Sequence, residues 1–276
     1  MKENVDKIEV NLMHYPGAIH PVLAFIKNNY NFWDIEKCRE KYYGDEHIKA
    51  IEHFKRNQNR FIKQKVGAPS PGRFTSAIID FPKYKSFENY QNNLSKNVKR
   101  DINIARKNNF YFKEFHFDNY VIDFCEINKL QKKKRNLNGK KPLNSFYDKT
   151  AEEHGISKIY KKIQKPEMPH HYTKWYGVFK YLKNYKQGDI VTNEKLVAYS
   201  GVAVDGELSC LTLIFGHPHY LKYGTMFFLT TNIVRELMGT HVKYLKYWEG
   251  PNLGGKLGEW KERILFEMKY LISKDF

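Results

Sequence analysis

The chain has 276 residues, 41% of them hydrophobic and 16% aromatic, enough for one large domain or two small ones with a sizeable core. Its formal net charge is +17, which points to an anionic partner such as tRNA, a nucleotide-linked substrate, a phosphorylated lipid or acyl-CoA; a lysine-rich solvated surface is the plain alternative. Cys38, Cys125 and Cys210 stand far apart with no CxxC pair, which argues against a disulfide framework or structural zinc. The opening MKENVDKIEV is too charged for a signal peptide, and no run of about 18 apolar residues is present to span a bilayer. A soluble, cytoplasmic protein is expected.

Residues 18–66 read as mainly helical. Leu23, Phe25, Ile26 and Tyr30 mark one amphipathic segment, and Ile48, Ile51, Phe54 and Ile62 mark a second. Gly67 to Gly72 is a loop, and Phe74 to Phe81 is a buried strand ending at Pro82. A basic helix follows. Leu94, Val98, Ile102 and Ala105 fall on one face; Lys96, Lys99, Arg100, Asn103, Arg106 and Lys107 fall on the others. Ser95 or Asn93 can cap it, and Asn108-Asn109 can stop it. Phe110, Phe112 and Phe115 then open a strand. Tyr120 to Lys133 reads as a helix ended by the run Lys132 to Arg135, with a loop from Asn136 to Leu143. Asn144 to Gln164 reads as an amphipathic helix stopped by Pro166 and Pro169.

The second half changes character. Tyr172 to Leu182, Leu196 to Val204 and Leu208 to Phe215 read as strands, with Asp205-Gly206 as a two-residue hairpin signal. Thr225 to Met238 is a helix closed by Gly239. Val242 to Trp248 is the next strand, Gly250 to Gly255 a loop, and Glu259 to Phe266 a short closing piece. The order is α+β. There is no G-x-S-x-G, P-loop, Rossmann glycine pattern or zinc-finger spacing, so hydrolase, NTPase and dehydrogenase readings have no support. His217-Pro218-His219 lacks a third metal ligand at a convincing spacing and reads as a turn; no metal is expected.

Two segments carry a family resemblance. NLSKNVKRDINIARKNN, leading into a strand, resembles the lead-in to the acyl-transfer domain of Fem-type acyltransferases, a branch of the GNAT-like superfamily. YLKYWEGPNLGGKLGEWKERILFE resembles their ending, where a strand leads through a glycine-bearing loop to an aromatic-lysine pair. Trp260-Lys261 stands at that pair, after Gly254, Gly255 and Gly258. The resemblance covers Phe74 to the C-terminus. It implies a GNAT-like mixed central sheet flanked by helices over 74–276, with 1–73 as a reduced, mainly helical N-terminal region. In such sheets two neighbouring strands are pried apart and the acyl donor lies in the gap. The GNAT acetyl-CoA signature, Gln/Arg-x-x-Gly-x-Gly/Ala, is absent; the corresponding place reads Tyr220 to Thr225.

Acyl transfer needs a positioned donor carbonyl, a stabilised oxyanion and a route for the nucleophile's proton. The resemblance makes Lys261 the candidate for the oxyanion or donor end; a surface lysine beside a packing tryptophan is the alternative. Glu249, ending the strand, is the candidate general base. Lys222, Gly224, Thr225 and Lys256 are candidates for the donor's phosphates, the first three because they surround a helix start. Trp248 and Tyr199 are candidate pocket walls. Lys99, Arg100 and Arg106 on the basic helix are candidates for phosphate or RNA contacts. The expected co-substrate is acyl-CoA, with aminoacyl-tRNA as the competing donor; the acceptor is a small-molecule or nucleotide-linked amine. A non-catalytic, basic nucleic-acid-binding protein is the alternative from another class.

Overall fold

The computed structural model describes residues 7–11, 75–137, 149–166, 170–249 and 255–273. The helices expected between 18 and 66 lie outside these. The strands are β1 (Lys7–Val10), β2 (Thr75–Asp80), β3 (Phe110–Phe115), β4 (His171–Tyr181), β5 (Lys186–Gln187), β6 (Ile190–Val191), β7 (Glu194–Asp205), β8 (Leu208–Gly216), β9 (Tyr244–Glu249) and β10 (Glu267–Ser273). The helices are α1 (Phe81–Tyr84), α2 (Phe87–Asn93), α3 (Lys96–Lys107), α4 (Val121–Leu137), α5 (Ala151–His154), α6 (Thr225–Met238) and α7 (Gly255–Arg263).

Among the described residues, eight strands form one mixed sheet in the order β1-β10-β2-β9-β8-β7-β4-β3, and β5 pairs with β6 in a separate hairpin. All pairs are antiparallel except β1 with β10 and β8 with β9. The architecture is the expected α+β one. Asp205 and Leu208 close the β7–β8 hairpin around Gly206, whose φ of 58° suits glycine.

Alternation along the strands gives the sheet two apolar faces. On the first, Ile79, Val204 and Leu245 pack with Phe228 and Ile233 of α6 and with Val98, Ile102 and Ala105 of α3. The α3 stripe matches its sequence reading. Ser95 Oγ accepts the Val98 N–H at 3.3 Å, and Asn108 N–H closes on Ile104 O at 3.1 Å before Asn109 turns left-handed at φ 59°. Each such fully buried aliphatic side chain contributes roughly 1.5–3 kcal/mol. On the second face, α4 lays Phe124 and Ile127 over Trp175, Phe179, Leu196 and Tyr199. Buried acids tie this face. Glu194 of β7 accepts hydrogen bonds from the Tyr111 and Tyr120 hydroxyls and pairs with Lys113. Asp123 of α4 accepts the Leu196 N–H and the Tyr185 hydroxyl at 2.7 and 2.6 Å.

Three readings are corrected. The helix expected over Asn144–Gln164 is, within the described residues, only α5. Its Thr150–Glu153 capping box starts one turn, and Gly155 ends it at φ 85°. Residues 155–166 then run without helix or strand, held by reciprocal Asn119–Lys161 hydrogen bonds of 2.7 and 2.8 Å. Pro82 does not simply end a strand but occupies the first turn of α1. The closing piece is α7 followed by a full strand, β10, inserted between β1 and β2. No helix among the described residues is long and apolar enough to cross a membrane.

Gly224 joins the two largest helices of the first face. It precedes α6 at φ 73°, and a Cβ there would lie 2.2 Å from the Asp101 carbonyl oxygen of α3. Gly224→Ala combines left-handed strain with a backbone clash, so it is expected to cost about 2–4 kcal/mol. Thermal melting checks this.

Candidate active site at the fork between β8 and β9

The parallel pair β8–β9 is the structural centre of the site. Its ladder holds only Leu208 to Cys210 against Tyr244 to Lys246. Beyond it, β8 continues to Gly216 and β9 to Glu249, and among the described residues they do not pair. The two strands therefore fork toward their C-terminal ends. The connection between them, α6, starts at that same end of β8. A parallel pair that opens at its carboxyl ends leaves unpaired backbone able to receive an extended ligand.

Helix α7 flanks the fork on the first face. Lys261 is buried, at 6% exposure, with its Nζ 4.8 Å from the ring centroid of Tyr247, the first β9 residue past the ladder. No carboxylate pairs with it among the described residues, and burial lowers its pKa from the ordinary lysine value. A buried cation with no counter-ion is unfavourable unless something else uses it. Trp260 packs edge-on to Tyr247 at 6.0 Å, with its indole N–H buried and without a hydrogen-bond partner among the described residues.

α7 is pinned in place from three directions. The buried Tyr90 hydroxyl of α2 donates to Ile264 O at 3.0 Å. The Arg263 guanidinium lies 4.6 Å from the Phe227 ring centroid of α6. It also reaches Asp101 of α3 at 3.3 Å. These supports fix the position of Lys261 relative to the fork.

The other candidate residues fall in several places. Lys99, Arg100 and Arg106 lie on the outer face of α3, whose Asp101 joins α7. Lys222 is exposed with its Nζ 5.2 Å from the Tyr223 ring centroid. Gly224 and Thr225 do not form an open helix start: α3 covers Gly224, and Thr225 is wholly buried with its hydroxyl donating to Tyr220 O at 3.3 Å. Tyr199 does not line the fork. Strand alternation turns it under α4, where its hydroxyl donates to Asn128 Oδ1. Glu249 and Trp248 end β9, and Lys256 lies in the first turn of α7; their side chains lie outside the described residues. Among the described residues no cluster of three or more metal-ligating side chains occurs. His217 is buried, and its Nδ1 accepts the His219 N–H at 3.3 Å, so it caps a turn. Tyr247, Arg263 and Asp101 are site residues that sequence reading missed. A lone acid in a basic helix was the one available signal.

No protein-family model and no curated protein matches the sequence. Solved structures do resemble it. FemX matches with a TM-score of 0.50 at 9% identity, over 71% of this chain and 59% of that one. The C-terminal domain of a protein assigned as a lysylphosphatidylglycerol synthetase, from Agrobacterium fabrum, matches at 0.43 and 10% identity, over 71% and 58%. A conserved protein of unknown function from Bacteroides thetaiotaomicron matches at 0.42 and 11%, over 76% and 65%. The chain thus spans less than two thirds of the length of each. The forked mixed sheet and the likeness to FemX agree on the fold: over 71% of its length the chain folds like FemX, as a mixed sheet flanked by helices.

Proposed function

We propose that this protein is an acyltransferase moving an acyl or aminoacyl group from an activated donor to an amine. The observation that carries the reading is Lys261, a buried cation with no carboxylate partner among the described residues, beside the opened end of a parallel strand pair. The donor lies in the fork with its carbonyl toward Lys261. The amine nitrogen attacks the carbonyl carbon, forming the C–N bond, and the carbonyl π electrons move to oxygen. The Lys261 ammonium hydrogen-bonds that oxyanion in a site poor in water, where such contacts are strongest. Collapse breaks the bond to the donor's sulfur or oxygen, which leaves with the electron pair. The amine's proton passes to a base, for which Glu249 at the end of β9 is the candidate. The product is an amide, and no covalent enzyme intermediate is needed.

Acyl-CoA and aminoacyl-tRNA both fit this chemistry, and the Fem-type likeness favours the second. A non-catalytic RNA-binding protein is the second reading, supported by the basic face of α3. The test is thermal stabilisation by acetyl-CoA, longer acyl-CoAs, free CoA and bulk tRNA at two salt concentrations. A ligand at 100 times its Kd stabilises the native state by about 2.7 kcal/mol. Acyl transfer predicts a shift with one activated donor that exceeds the shift with its deacylated form. A shift with tRNA alone, indifferent to acylation, favours the non-catalytic reading.

A further inference from the structure

The outer face of α3 is a basic surface that neither the core nor the fork uses. Lys96, Arg100, Arg106 and Lys107 are exposed and Lys99 is half-buried. A shallow groove of about 350 Å³ runs along the helix between Lys96, Lys99, Arg100, Asn103, Ile104 and Lys107, with no acid in its walls. The helix's one acid, Asp101, is shared between Arg263 of α7 at 3.3 Å and its neighbour Arg100 at 3.7 Å. Lys99 Nζ reaches the Asn92 carbonyl at 2.8 Å and Arg106 the Asn103 amide at 3.4 Å. Those are neutral partners, so among the described residues Asp101 is the one acid set against the helix's five cations, and most of their charge is uncompensated.

We propose that this face docks the phosphodiester backbone of RNA. The inference rests on the acyl-transfer reading only for what the RNA carries. Five cations on a 12-residue helix, about 18 Å long, make a ladder of positive charge suited to successive phosphates. Asparagines at 97, 103 and 108 offer neutral donors among them. A membrane surface fits less well. Interfacial binding needs apolar side chains beside the cations, and the large exposed ones among the described residues (Ile159, Tyr160, Ile163, Tyr181, Val191 and Leu257) are not on α3. The Asp101–Arg263 pair links the RNA-docking helix directly to α7, so a backbone held on α3 lies one helix from Lys261.

The test is the binding of labelled, deacylated bulk tRNA to the full chain across a salt series. Wild type is expected to lose roughly 100–500-fold in affinity between 50 and 200 mM salt if four to five phosphates are neutralised. Lys96→Gln/Arg100→Gln/Lys107→Gln should bind at least tenfold more weakly at low salt, with a slope shallower by about two to three. Lys158→Gln/Lys162→Gln/Lys165→Gln removes the same three charges from exposed positions elsewhere and should bind as wild type. Melting temperatures of both triples, expected unchanged, separate lost binding from lost folding. Equal weakening in the two triples, or an unaffected α3 triple, overturns the proposal. So does binding of anionic phosphatidylglycerol vesicles, but not tRNA, through the same α3 side chains. Because the RNA is deacylated and no turnover is read, failure of the acyltransferase reading would not mimic failure here.

Discussion

Lys261→Met is expected to raise the melting temperature and to cut acyl transfer by about 10²–10³-fold. The two effects share one cause. The lysine is buried, unpaired with any described carboxylate, and its pKa is lowered by desolvation. Methionine fills a similar volume without a charge. Removing the desolvation cost outweighs the loss of the Tyr247 cation–π contact, which contributes about 0.5–2 kcal/mol. A net gain of roughly 1 kcal/mol corresponds to about 2–4 °C. A lysine of purely structural value would show the reverse sign in stability. The linkage follows from the lowered pKa. The unfolded chain holds the lysine proton up to about 10.5, while the folded chain releases it earlier. Between those values the unfolded state binds more protons, so stability rises with pH, and Lys261→Met removes that rise. Activity, which needs the ammonium form, should fall on the alkaline side before pH 10.5. Melting and pH–rate profiles of the two proteins read both consequences.

Asp123→Ala is expected to destabilise the fold by about 3 kcal/mol, a loss of roughly 6–12 °C. The carboxylate is fully buried and accepts from Leu196 N at 2.7 Å and Tyr185 Oη at 2.6 Å. Alanine strands both donors. Asp123→Asn should stay close to wild type. Its amide oxygen can accept from Leu196, and its NH2 can donate to a rotated Tyr185 hydroxyl. Burial raises the Asp123 pKa to about 6, against the lowering effect of those hydrogen bonds and of Lys195. In the unfolded chain it titrates near 3.8, so between about 4 and 6 the folded state holds the extra proton. This group's contribution to stability therefore falls as pH rises through that window. Asp123→Asn should flatten that component, as denaturant melts at pH 4 to 7 would show.

What was legible in the sequence was local. α3 could be read because its cap, its Leu94–Val98–Ile102–Ala105 stripe and its Asn108 stop all lie within one segment. α6 was bounded correctly at Thr225 and Met238 for the same reason. β1 and β10 escaped because a strand of four residues, and one inserted between distant partners, are specified by pairing across the whole chain. The expected helix before Pro166 had apolar spacing but no neighbour among the described residues to bury it, and Ile159 and Ile163 stand 72% and 50% exposed. Lys261 was visible only through resemblance. Nothing local announces its burial, because its supports come from α2, α3, α6 and β9, with Asp101 and Arg263 separated by 162 residues. Tyr199 looked like a site residue because a polar group on a central strand suits a pocket and a core equally, and Thr225 because it opens a helix whose N–H groups could meet an anion. Only the packing of α4 and α3 decides between them.

The most direct measurement is single-turnover transfer of a labelled acyl or aminoacyl group, from acyl-CoA or aminoacyl-tRNA, to a pool of amine acceptors, with wild type and Lys261→Met compared at equal folding. Acyl transfer at the fork predicts an amide product from wild type with one donor class, and a rate at least 100-fold lower in the variant. Equal rates in the two proteins would remove Lys261 from the chemistry. No transfer from either donor class, with tRNA binding intact, would contradict the acyltransferase reading itself.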